Sequence, residues 1–117
     1  MNQIRATKKL GNSGEQKVAE YLEKNGFTIQ VRNFSCRYGE IELIASRKEL
    51  MVFVEVKTRT IKTDFLHDLI SYSKQQKIIK TMKHYCATLV KEYALRFDVA
   101  FVYHDTVEYI EGAFTQD

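Results

Sequence analysis

Residues 50–56, Leu-Met-Val-Phe-Val-Glu-Val, carry apolar side chains on both sides of an extended chain. Side chains alternate faces along a strand, so Met51 and Phe53 point one way while Leu50, Val52, Val54 and Val56 point the other. A strand of this kind is central, in a sheet covered on both faces by helices. A membrane span does not explain it. The longest unbroken apolar runs, 50–54 and 99–103, are five residues long, against about 20 for a spanning helix. Yet Glu55 and Lys57 follow on the face of Met51 and Phe53. Burying either charge unpaired is costly.

The flanking segments supply the rest of such a sheet. Ser13-Gly14-Glu15-Gln16 fits a capping box and predicts a helix over 13–24, stopped by Asn25-Gly26. Phe27, Ile29 and Val31 then alternate with polar residues as in a half-buried strand, and 33–39 reads as a polar connection. Strands are predicted at 40–45 and 50–58, joined by the polar residues 46–49 as an antiparallel hairpin. A charged loop follows, then a long helix over 69–92 with Ile78, Met82, Tyr85, Cys86, Leu89 and Tyr93 at helical spacing. Strands at 96–103 and 106–110, separated by His104-Asp105, complete the order α-β-β-β-α-β-β. This is an α/β fold with a central mixed sheet of about five strands flanked by helices.

A chain of 117 residues has room for one domain, 1–117, and its 44% apolar and 28% charged composition excludes intrinsic disorder. Two cysteines, Cys36 and Cys86, cannot build a disulfide framework or a four-ligand zinc site, and His67, His84 and His104 lack metal-ligand spacing. The basic start has no hydrophobic signal core, so a cytoplasmic protein with reduced thiols and no membrane partner is expected. The net charge of +3 is mild but uneven. Residues 1–60 carry +4 and 61–117 carry −1, while 74–91 holds five lysines and no carboxylate. Such a stretch suits a polyanion such as nucleic acid, or simply forms a solvated helix face.

Charges on inward-facing positions are the informative ones. Strand alternation puts Glu40, Glu42 and Ile44 on one face, and Ile41, Leu43 and Ala45 on the other. On a helical wheel Glu15 falls within about 60° of Val18, Ala19 and Leu22, so it faces the sheet. An acid in a first helical turn is favoured by the macrodipole in any case, and Glu42, Glu55 and Lys57 could form ordinary ion pairs where their strands emerge. Read together, three carboxylates and a lysine converging on one side of a small sheet suggest a site for Mg²⁺ or Mn²⁺ acting on phosphodiesters.

Gly39-Glu40-Ile41-Glu42-Leu43-Ile44-Ala45 followed by Phe53-Val54-Glu55-Val56-Lys57-Thr58-Arg59 closely resembles the YraN family of small bacterial proteins. Gly14-Glu15, Lys74-Gln75, Arg96-Phe97-Asp98-Val99 and Ala113-Phe114 extend the resemblance over nearly the whole chain. That family looks like a minimal member of the PD-(D/E)XK nuclease superfamily, with a restriction-endonuclease-like core. The resemblance implies Glu55 as a metal ligand, Lys57 as the catalytic cation and the Val56 carbonyl as a backbone ligand. Glu42 stands as the second acidic ligand where the family usually has aspartate, one methylene shorter. Glu15 matches the helix-borne acid of Holliday-junction-resolvase-like members, which implies branched or flapped DNA as substrate and a homodimer as assembly.

Arg59 and Lys62 follow the strand directly, where a phosphate backbone could lie, and Lys74 borders the apolar sector of the long helix near the same place. Gln75 falls inside that sector and needs a partner, either a metal-bound water or a strand end. Asp98 is expected to form a structural pair with Arg96 or a lysine, ahead of a catalytic role. Phe34 and Tyr38 either stack on bases or pack normally, and Cys86 is expected in the core. Two other functions remain open from sequence: a nucleic-acid-binding module with a degenerate site, and an accessory protein whose charges are structural.

Overall fold

The computed structural model describes residues 2–59 and 70–114, with side chains from Ser13 onward. Its elements run α1 (Asn2–Lys24), β1 (Thr28–Cys36), β2 (Gly39–Arg47), β3 (Leu50–Arg59), α2 (Tyr72–Cys86), β4 (Ala94–Tyr103) and β5 (Thr106–Phe114). The expected order α-β-β-β-α-β-β is therefore the observed one. The five strands form one sheet in the order β1-β2-β3-β4-β5. The β3–β4 pair is parallel and the other three are antiparallel. Lys62 and most of the charged loop lie outside the described residues.

The strand that is apolar on both sides sits in the middle, and each of its faces has its own core. Val52 and Val54 pack with Val18, Ala19 and Leu22 of α1, joined by Leu43, Ala45, Ala100 and Val102. Met51 and Phe53 pack with Ile78 and Met82 of α2, joined by Ile41, Ile44, Phe97, Val99 and Phe101. The two helices thus cover opposite faces, as a sheet buried on both sides requires.

Several expected boundaries move. Ser13 is not a cap, because α1 continues back through it to Asn2. Residues 3–10 include Gln3, Arg5, Ala6, Lys8, Lys9 and Leu10, all good helix formers, so nothing forces a start at Ser13. The second helix is shorter than 69–92. Ser71 caps its start by accepting from the Lys74 N–H. Beyond Cys86, Thr88 and Leu89 donate backbone bonds to Tyr85 and Cys86 in tight turns. The Thr88 hydroxyl also donates to the Tyr85 carbonyl at 2.7 Å, a local bond that competes with further helix. β1 absorbs most of the expected polar connection and reaches Cys36, leaving only Arg37-Tyr38 as the turn before β2.

The expected faces of β2 also change. Ile44 joins the α2-side core, Leu43 and Ala45 the α1-side core, but Ile41 joins Ile44 rather than Leu43. Alternation breaks between Ile41 and Leu43. Opposite the break, Asn33 adopts a left-handed backbone at φ 57°, between the pairs Arg32↔Leu43 and Phe34↔Ile41. Asparagine is among the few non-glycine residues that visit this region readily. Glu42 therefore lies at a fork, beyond the last β2–β3 pair, Leu43↔Val54.

Candidate active site at the fork of β2 and β3

At the fork, the Val56 N–H donates to Glu42 Oε1 at 2.9 Å. The carboxylate thus takes the place of a strand partner. A strand residue's N–H and C=O point to the same edge, which puts the Val56 carbonyl on Glu42's side of β3. Burial is the main reason the Glu42 carboxyl is pushed up to about 7; the Val56 bond opposes this, while Glu55, Glu15 and Glu40 add to it. A half-buried carboxyl facing three other acids is a place where positive charge is welcome.

Glu55 and Lys57 emerge on the α2 face of β3, as alternation predicts. Glu55 Oε2 lies 3.4 Å from Lys57 Nζ and 3.0 Å from Lys74 Nζ at the start of α2. Glu55 and Lys57 are largely buried, with side chains 15% and 18% exposed, whereas Lys74 is half exposed. Glu40, Glu42, Glu55, Lys74 and Lys77 line one open cleft of about 200 Å³ together with Tyr38, Gly39, Ile78 and Thr81.

Glu15 approaches from the opposite layer. It lies on α1, which covers the other sheet face, so the acids do not converge on one side as expected from the wheel and strand patterns. Instead the fork brings them into electrostatic range, with Glu15 acting on Glu42 from behind. Asn33 Nδ2 donates to Glu15 Oε1 at 3.3 Å. Burial raises the Glu15 carboxyl, opposed by the Asn33 bond and Arg32 and reinforced by Glu40. Gly14 sets the approach of α1, since a Cβ there would lie 2.5 Å from Thr58 Oγ1 on β3.

The remaining candidates divide between site and scaffold. Gln75 donates to the Ile70 carbonyl at 2.9 Å, at the entry to its own helix. Arg59 donates to the Thr58 carbonyl at 3.0 Å. Asp98 is the structural partner of Arg96 that the sequence suggested: it is wholly buried and accepts from Arg96 Nε at 2.9 Å and Nη2 at 3.0 Å. Tyr109 and the Gly112 N–H complete its shell. Phe34 packs edge-on against Tyr85, with ring centroids 5.2 Å apart, and belongs to the α2-side core. Cys86 packs against the same core, and burial pushes its thiol up. Sequence reasoning missed Asn33, Lys77 and Thr81 at this site. Of these only Asn33 had a signal, its tolerance of a left-handed backbone.

Among the described residues, no group of three or more His, Cys, Asp and Glu side chains is gathered to hold an ion. Of the three glutamates that line the cleft, Glu42 and Glu55 flank the open end of β3, with the Val56 backbone carbonyl beside them. An all-oxygen set of that size fits Mg²⁺ or Mn²⁺, which use one or two carboxylates and complete their shells with water and substrate phosphate.

Residues 14–102, which contain Glu15, Glu42, Glu55, Lys57 and Lys74, match the model of the "Uncharacterised protein family UPF0102". The chain belongs to that family. A UPF0102 protein of Caldanaerobacter subterraneus is 45% identical over 98 residues, covering 82% of this chain and 80% of its own. One from Thermodesulfovibrio yellowstonii is 39% identical over 106 residues, covering 90% and 95%. A third, from Clostridium acetobutylicum, is 41% identical over 118 residues, covering 94% and 97%. UPF0102 membership thus spans the fork, both carboxylates and the lysine beside them. Among the described residues no helix is long and apolar enough to cross a membrane.

Proposed function

We propose that this UPF0102 protein is a metal-dependent nuclease that hydrolyses phosphodiester bonds of DNA, including branched or flapped forms. The observation that carries the proposal is the pairing, on one cleft, of a half-buried Glu42 with Glu55, whose carboxylate is flanked by Lys57. The resemblance of these segments to the PD-(D/E)XK superfamily, with its restriction-endonuclease-like core, supports the same reading.

Glu42, Glu55 and the Val56 carbonyl would hold Mg²⁺ or Mn²⁺. The bound ion would supply Lewis-acid polarisation of the phosphate and a water of lowered pKa. Lys57, tethered 3.4 Å from Glu55, is placed to orient the attacking water and to offset charge growing on the phosphate oxygens. The attacking water gives up a proton to solvent as its oxygen bonds to phosphorus, the bond to the departing sugar oxygen breaks, and that oxygen takes a proton from solvent. Lys74 can leave Glu55 for a substrate phosphate, because half of its side chain is exposed. Gln75, Arg59 and Lys62 remain candidates for further backbone contacts. Glu15 completes the acidic cluster from the α1 layer, and a homodimer is the assembly suited to cutting two strands.

The test compares wild type with Lys57→Ala on labelled duplex, single-stranded, flapped and four-way-junction DNA, each with Mg²⁺, Mn²⁺ or EDTA. Cleavage that requires metal and falls by about 10²–10³-fold in the variant is expected, the range seen when one charge-stabilising donor is removed. Binding without cleavage in every condition would overturn the catalytic reading in favour of a binding module with an inactive site.

A further inference from the structure

Lys77, Lys80 and Lys83 on α2 form no ion pair with any described residue, whereas Lys17, Lys57, Lys74 and Lys91 each meet a carboxylate. All three unpaired lysines are exposed, and α2 carries no acid along Tyr72–Cys86. With about 100° per helical residue, Lys77, Lys80 and His84 fall within about 60° of one another. They therefore form a stripe along one flank of α2.

That flank faces the Arg37-Tyr38 turn between β1 and β2. The Tyr38 and His84 rings meet with centroids 6.0 Å apart, joining that flank to the turn. Arg37 lies over the Tyr38 ring at 4.9 Å and donates to its hydroxyl at 2.7 Å. Tyr38 and Lys77 also line the cleft that holds Glu42 and Glu55. The stripe therefore begins at the candidate active site and runs from it along α2, with Arg37 on the adjoining turn.

Resting on the nuclease reading, we infer that this cationic stripe is the track for a single nucleic-acid strand leaving the site. Lys77, Lys80 and Arg37 hold its phosphates, and Tyr38 lies along its path. Lys77 and Lys80 stand in one row about 4.5 Å apart along the helix axis, which meets one phosphate backbone rather than two. Ammonium groups on flexible stems bind phosphate without reading the base or the sugar. The track accordingly predicts affinity for DNA and RNA strands alike.

The experiment measures fluorescence anisotropy of short labelled single-stranded DNA and RNA over a salt series, in EDTA so that nothing is cut. It compares wild type, Lys77→Gln with Lys80→Gln, and the control Lys24→Gln with Lys48→Gln. Lys24 and Lys48 are also exposed and unpaired among the described residues, but lie at the end of α1 and in the β2–β3 turn, at the opposite end of the strands from Glu55. The track variant is expected to bind more weakly, with a log–log salt slope shallower by about 1.4, corresponding to two lost phosphate contacts. The control should keep the wild-type slope. Identical behaviour of the two doubles, or a loss confined to one sugar, overturns the track while leaving the nuclease reading intact. Wild type without salt-dependent binding to either nucleic acid overturns both.

Discussion

Glu42 combines a strand-like hydrogen bond and a raised pKa in one side chain. One oxygen replaces a strand partner for the Val56 N–H, and the carboxyl faces Glu55, Glu15 and Glu40 from a half-buried position. Its folded-state pKa of about 7 lies above the ordinary value of 4.5. Between those values the folded protein holds a proton that the unfolded chain has released, so stability falls as pH rises through the window. In metal-free protein, wild type should therefore lose stability relative to Glu42→Gln between about pH 4.5 and 7, read from urea unfolding at each pH. A flat difference would contradict the burial of this group. The pairing of Glu55 with Lys57 was legible in the sequence, because strand alternation alone puts them on one face. The place of Glu42 was not. It depends on the left-handed Asn33 on the neighbouring strand, and no pattern within β2 announces that break.

At the scale of elements, two contacts fix how the layers meet. Gly14 allows α1 to approach β3, and Gly14→Ala would drive a methyl against Thr58, a stiff β-branched side chain. The expected cost is about 1–3 kcal/mol, and Thr58→Ser should recover part of it, since serine can rotate its hydroxyl away. Chemical denaturation of the single and double variants checks this. The other contact ties β5 to β4 through buried Asp98. Arg96→Met leaves that carboxylate without its cation and should destabilise the protein by about 3 kcal/mol, at the low end for a broken buried pair, because Tyr109 and Gly112 still donate to it. The Arg96–Asp98 pair was readable from spacing within one strand. Tyr109 and Gly112 were not, because their contacts depend on the register of β4 with β5, which shifts between Phe97 and Val99. The Ser13 capping signal misled for a related reason: a cap motif marks a start only when the preceding residues cannot extend the helix.

Across the whole molecule, one strand organises everything else. β3 is buried on both faces by separate cores, and its end carries charge into the part of the β2–β3 pair that opens. The sequence revealed the sheet, the element order and the central strand because these follow from hydrophobic periodicity. Which sheet face each helix covers was beyond it, since that is decided by the connections between elements. As a result Glu15 and Glu55, expected side by side, approach Glu42 from opposite layers. If Glu42 and Glu55 form one cation site, titration of Mn²⁺ followed by electron paramagnetic resonance detects it most directly. Wild type should show saturable binding that Glu42→Gln and Glu55→Gln each weaken strongly while circular dichroism confirms the fold. Saturable binding unchanged in both folded variants, or no saturable binding in wild type, would contradict it.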